Sequence, residues 1–177
     1  MKVMFMQGLK NVLKGSLSNM ILGDVGGFSY QGQNIFAKAV KFDQLENMYS
    51  INSTLPKSVV KNFTTQNFVN VSLPKTANNP CKKFTACQVS IIILDTPITR
   101  FISNSKDSSL KSMLVDMSIQ ETEVSSPYSY IQIKDAVVEG LTDPILVTIP
   151  MYSELNKTNP NNTLGCGFID TQDNVFK

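Results

Sequence analysis

Val89-Ser90-Ile91-Ile92-Ile93-Leu94 is the stretch on which the fold turns. Successive side chains of an extended chain point to opposite faces, and here both faces receive branched aliphatic groups, which predicts a central strand covered on both sides. Pro97 closes it, because proline fixes φ and offers no N–H to a ladder. The runs around it alternate instead. Residues 68–73 set Val69, Val71 and Leu73 against Phe68, Asn70 and Ser72, with Pro74 as a stop. Residues 113–120 set Met113, Val115, Met117 and Ile119 against Leu114, Asp116, Ser118 and Gln120. A period of two with one polar side predicts strands that turn one face inward. Residues 28–30 and 35–40 flank Gln31-Gly32-Gln33-Asn34 as a hairpin. Further strands are expected from Tyr130, Ile131 and Ile133 toward a turn near Gly140, at Ile145, Val147, Ile149 and Met151 behind Pro144, and over residues 165–170. Short strands at this spacing with no helix between them predict a mainly β fold, an antiparallel β-sandwich.

Before the sandwich the period is different. Met6, Leu9, Val12, Leu13, Leu17, Met20 and Ile21 recur at i, i+3 and i+4, which predicts one amphipathic helix over residues 1–22. Gly8 and Gly15 weaken its interior by up to about 1 kcal/mol each relative to alanine, so it needs a neighbour to hold it. Gly23 and then Gly26-Gly27 stop it and turn the chain. The expected organisation is a helical segment over 1–24 and a sandwich over 25–177, with no second helix. The four methionines before residue 21 read as filler on the helix.

The 177 residues are 42% apolar and 17% charged, enough to fold and too apolar for disorder over most of the length. A net charge of +2 leaves no basic excess to neutralise phosphates, so nucleic acid is not an expected partner; Lys82-Lys83 is a solvated surface pair. The chain has no histidine, which removes Ser-His-Asp and Cys-His nucleophiles, His-ligated zinc and imidazole switches together. Asp135, Glu139 and Asp143 are strung along a loop-rich stretch, and Asp170 and Asp173 read as solvated carboxylates; no catalytic residue, metal site or cofactor is expected. Apolar runs such as 91–94 fall far short of the ~20 residues that span a bilayer. Lys2, Lys10 and Lys14 break up the core of any secretory leader, and the chain reads as a piece of a longer product.

Cys81 and Cys87 enclose five residues after Pro80, a spacing that admits a small disulfide loop at a strand entrance or two reduced thiols. Cys166 is then the odd one, and in an exported protein it points to a partner outside this chain. Sequons for N-glycosylation stand at Asn52, Asn62, Asn70, Asn156 and Asn161, of which the two pairs Asn52 and Asn62, and Asn156 and Asn161, fall in polar stretches that read as exposed loops. With the cysteines they point to an extracellular setting.

The segment Leu141-Thr142-Asp143-Pro144-Ile145-Leu146-Val147-Thr148-Ile149-Pro150, followed after a polar loop by Cys166-Gly167-Phe168-Ile169-Asp170 and Phe176, resembles the β-rich part of a GPCR-autoproteolysis-inducing (GAIN) domain. That family couples a Leu-x-Asp-Pro-Val strand to a Cys-x-aromatic-x-Asp strand that begins its proteolysis-site (GPS) motif. Residues 112–120 resemble the strand that precedes these in the family, and the initial helix with its glycine break resembles the end of the family's helical subdomain. The likeness runs over the whole chain, but only Asp143, Pro144, Cys166, Phe168, Asp170 and Phe176 are motif-like.

The departures narrow what the resemblance implies. Ile169 and Phe176 stand where tryptophans are usual, which favours the polycystin-type branch over adhesion receptors. The family's later cysteines and its His-Leu-Ser/Thr cleavage tripeptide lie beyond Lys177, so neither base nor scissile bond is in this chain. The resemblance therefore implies a non-catalytic scaffold of a receptor or polycystin-like protein at the cell surface, holding a proteolysis-site strand. Its partners are other protein chains or the downstream cleaved strand. Cys166 would pair with a downstream cysteine and fasten the last strand, worth about 2–4 kcal/mol. The other class of function in view is a structural component of an extracellular or ciliary-surface assembly, a fibre or coat in which edge strands add to neighbours.

Overall fold

The computed structural model of the chain describes residues 2–18, 27–43, 50–60, 68–74, 86–103, 106, 112–123, 132–135, 139, 141, 143–150, 165 and 167. Helix α1 (Lys2–Ser18) is followed by β1 (Gly27–Gln31), β2 (Ile35–Asp43), β3 (Ser50–Thr54), the single turn α2 (Lys57–Val60) and β4 (Phe68–Ser72). Then come β5 (Ala86–Leu94), α3 (Thr96–Ser103), β6 (Leu114–Glu123), β7 (Gln132–Asp135) and β8 (Leu146–Thr148). Two antiparallel sheets result, a five-stranded one in the order β1-β2-β5-β6-β7 and a three-stranded one in the order β3-β4-β8. The fold is the expected mainly β sandwich with an N-terminal helix.

Strand β5 sits at the centre of the larger sheet, laddered to β2 on one side and to β6 on the other over all nine of its residues. Its two faces serve two cores. Cys87, Val89, Ile91 and Ile93 meet Ile51, Val69 and Val71 of the smaller sheet, with Leu73 just after β4 and Phe36, Leu55, Val59 and Ile119 completing the layer. Ile92 and Leu94 face the other way, into a second core with Ala37, Ala39, Leu13 of α1 and Ile102 of α3. The small alanines on β2 let a helix approach the sheet. A 3.0 Å ion pair from Lys10 to Asp116 ties α1 to β6. Gly27 opens β1 where the backbone oxygen of Ala39 would lie 2.8 Å from a Cβ, so the residue there must lack one.

The structure corrects the sequence in several places. Helix α3 is a second true helix where none was expected, and α2 adds a single turn. The cause of α3 is Asp95: its Oδ1 accepts the Thr96 N–H at 2.6 Å and its carbonyl accepts the Thr99 N–H at 3.0 Å, a helix N-cap. Pro97, read as closing a strand, sits in the first turn of that helix, where its missing N–H costs nothing. Ile98 and Ile102, four apart, supply the buried face.

Asn52, expected on a loop, lies on β3, whose alternation carries only one large apolar residue, Ile51, and so was too faint to read. Helix α1 is described over Lys2–Ser18 and β7 over Gln132–Asp135; residues 19–22, Tyr130 and Ile131, onto which the expected helix and strand extend, lie outside the described residues. Strand β8 is three residues, shorter than the alternation from Ile145 to Met151 predicts. Of the last expected strand, Gly165 and Gly167 are described and neither is in a strand; its other residues lie outside the described ones.

Candidate functional site

The smaller sheet carries the features that invite a function. Its outward face alternates exposed with buried positions, so Ser50, Asn52 and Thr54 of β3 and Phe68, Asn70 and Ser72 of β4 point away from the core. Register sets them in rows: Ser50 beside Ser72 and Leu146, Asn52 beside Asn70 and Thr148, Thr54 beside Phe68. The middle rows form a hydrogen-bonded net. Asn70 Nδ2 donates to Ser50 Oγ at 2.5 Å and to Asn52 Oδ1 at 2.7 Å, while Ser72 Oγ donates to Asn70 Oδ1 at 2.7 Å. Lys38, on β2 of the other sheet, donates from Nζ to the Asn52 carbonyl at 2.6 Å and so clamps the two layers. Burial holds the Lys38 ammonium below its ordinary pKa, because the charged form is the one that loses solvent.

The edge of this sheet has the opposite character. Strand β8 is terminal in the order, and Leu146, Val147 and Ile149 are 58%, 41% and 44% exposed. Val147 lies beside the fully buried Val71, on the core side. Asp143 and Pro144, both exposed, introduce the strand, and Pro150, buried, follows it. Proline on each side leaves a short apolar ribbon whose ladder groups on one flank have no neighbour strand among the described residues.

A second polar cluster is structural. Ser58 Oγ donates to Asp95 Oδ2 at 2.6 Å, the Asp95 N–H donates to the Asn34 carbonyl at 3.0 Å, and Lys57 and Ser58 N–H groups bond the Gly32 and Gln33 carbonyls. These bonds join the β1–β2 turn, α2 and the start of α3 at one end of the sandwich. On the helix-facing side of the larger sheet, Gln88 Nε2 donates to Gln120 Oε1 at 2.7 Å, both side chains fully buried. Neither cluster was anticipated, and the D-T-P sequence at Asp95-Thr96-Pro97 was the one signal that could have found the first.

The sequence-predicted site residues fall as follows. Cys87 is the second residue of β5, faces the inter-sheet core and is disulfide-bonded; Cys81 and Cys166, the other two cysteines, lie outside the described residues. Asn52 and Asn70 come together as direct cross-strand partners, which their separation in sequence did not suggest. Asn62, Asn156, Asn161, Phe168, Asp170 and Phe176 lie outside the described residues. Among the described residues no three His, Cys, Asp or Glu side chains gather as a metal site, and no helix is long and apolar enough to cross a membrane. No family model matches the chain, and no curated protein matches it.

Proposed function

We propose that this chain is a non-catalytic scaffold of GAIN type in the extracellular part of a membrane-attached, polycystin-like protein, and that it holds a strand by edge pairing. The observation that carries the reading is the apolar β8 edge directly after Asp143-Pro144, which has no neighbour strand on its outer flank among the described residues. A strand laid along it would extend the ladder and cover Leu146, Val147 and Ile149, which is how an exposed edge recognises an extended segment. The bridged Cys87 and the exposed Asn52 sequon favour an oxidising, secretory route for the chain.

One observation favours a second reading, a subunit of an extracellular or ciliary-surface fibre or coat. Strand β1 is also terminal in its sheet and carries the exposed Phe28 and Tyr30, so each sheet offers one apolar edge and copies could join edge to edge.

Mass spectrometry of the product isolated from its own cells separates the outcomes. The first reading expects sequence after Lys177 that contains a His-Leu-Ser/Thr tripeptide and a membrane span. An intact product that ends at Lys177, with neither, overturns it.

A further inference from the structure

We infer that Asn52 and Asn70 form one N-glycan acceptor site between them, that Asn52 carries the sugar, and that the outward face of the three-stranded sheet is a sugar-covered face. The inference rests on the secretory setting proposed above. Both residues head sequons, Asn52-Ser53-Thr54 and Asn70-Val71-Ser72, and both point outward from paired strands. They are directly opposite in the register, which places their Cβ atoms only about 4.5–5.5 Å apart. Two branched glycans leaving from side chains that close together would crowd each other at their first sugars.

The hydrogen bonds choose between them. Glycosylation joins C1 of N-acetylglucosamine to the amide Nδ2. The C1–O bond to a lipid-linked diphosphate donor breaks, the diphosphate leaves and Nδ2 loses one proton. Asn70 Nδ2 uses both of its protons, toward Ser50 Oγ at 2.5 Å and Asn52 Oδ1 at 2.7 Å, so a sugar there would cost the net one bond. Asn52 takes part through its oxygen alone; among the described residues its Nδ2 donates to no partner. A sugar on Asn52 therefore leaves the net whole. Phe68, on the same face and diagonal to Asn52, is 40% exposed and within about 7–8 Å, a ring against which the apolar side of the first sugar can lie.

The test is site mapping of the native product by peptide-N-glycosidase in oxygen-18 water, which leaves a labelled aspartate at every occupied asparagine, with the intact mass giving the glycan count per molecule. Label at Asn52 with Asn70 unlabelled supports the inference, and so does Asn70→Gln leaving the Asn52 occupancy unchanged while Asn52→Gln raises occupancy at Asn70. Label at both on one molecule, at Asn70 alone, or at neither while other sequons are labelled overturns it and leaves the secretory reading standing. No label at any of the five sequons overturns both. The mapping of the unaltered product decides the case even where a variant fails to fold.

Discussion

Replacing Asp95 by alanine removes a carboxylate that joins α2 to the start of α3. The carboxylate caps α3 through Thr96 N–H at 2.6 Å and receives the Ser58 hydroxyl at 2.6 Å, and it is nearly buried. Losing a helix cap costs about 0.5–2 kcal/mol. Losing a hydrogen bond to a charged acceptor costs about 1.5–3 kcal/mol, less here because the half-buried Ser58 can turn its hydroxyl to water. Asp95→Ala is thus expected to lower the unfolding free energy by about 2–4 kcal/mol, and Asp95→Asn, which keeps an acceptor for Thr96 and a polar partner for Ser58, by about 1 kcal/mol. Urea unfolding followed by circular dichroism reads both, with an unchanged slope showing that only stability moved. A double-mutant cycle with Ser58→Ala isolates the pair, whose coupling is expected at about 1 kcal/mol. Asp95→Ala within about 0.5 kcal/mol of the parent, or strict additivity with Ser58→Ala, refutes the junction as a stabilising element.

Two other perturbations follow from buried groups. Ser53 is fully buried and its Oγ has no hydrogen-bond partner among the described residues, so Ser53→Ala is expected to raise stability by about 0.5–1.5 kcal/mol while keeping the Asn52 sequon; a loss of more than about 1 kcal/mol in urea unfolding would mean that the hydroxyl is satisfied. Lys38 has its pKa lowered from 10.5 by burial, so folding disfavours its charged form, and the penalty is fully present below the folded pKa. As pH rises from the folded pKa toward 10.5 the unfolded chain keeps a proton that the folded chain has released, and stability recovers. The parent should therefore gain on Lys38→Met across that window, and parallel pH profiles of the two proteins would exclude the effect.

The legible part of the fold was the part written in apolar periodicity. Residues 89–94 announced a strand with two covered faces, and the two cores on either side of β5 are the reason. Val69 and Val71 announced β4 for the same reason. What stayed hidden was written in polar groups. Strand β3 has one large apolar side chain in five positions and holds its place through the β4 ladder and the Lys38 clamp, neither of which is local in sequence. Helix α3 was overridden by a proline read as a terminator, although an aspartate two residues before it turns the same proline into a starter. The Asn52–Asn70 pair could not be read from either sequon, because an antiparallel register brings residues eighteen apart face to face.

The same polar and apolar division limits how a strand could be held at β8. Pro144 and Pro150 bracket the ribbon, and proline offers no donor to a ladder, so an added strand can bond only across the few residues between them. At about 0.5–1.5 kcal/mol net for each hydrogen bond, a ladder against a three-residue strand supplies a few kcal/mol at most. Covering Leu146, Val147 and Ile149 adds to this, at about 25 cal/mol for each Å² removed from water. A short ladder with an apolar cover suits a segment delivered at high effective concentration by its own chain far better than one captured from solution, since only the former escapes the translational cost of association. For the scaffold reading, this is why the expected covalent fastening at Cys166 matters. The bridge would keep the segment beside the edge, and the edge would need only to select its register.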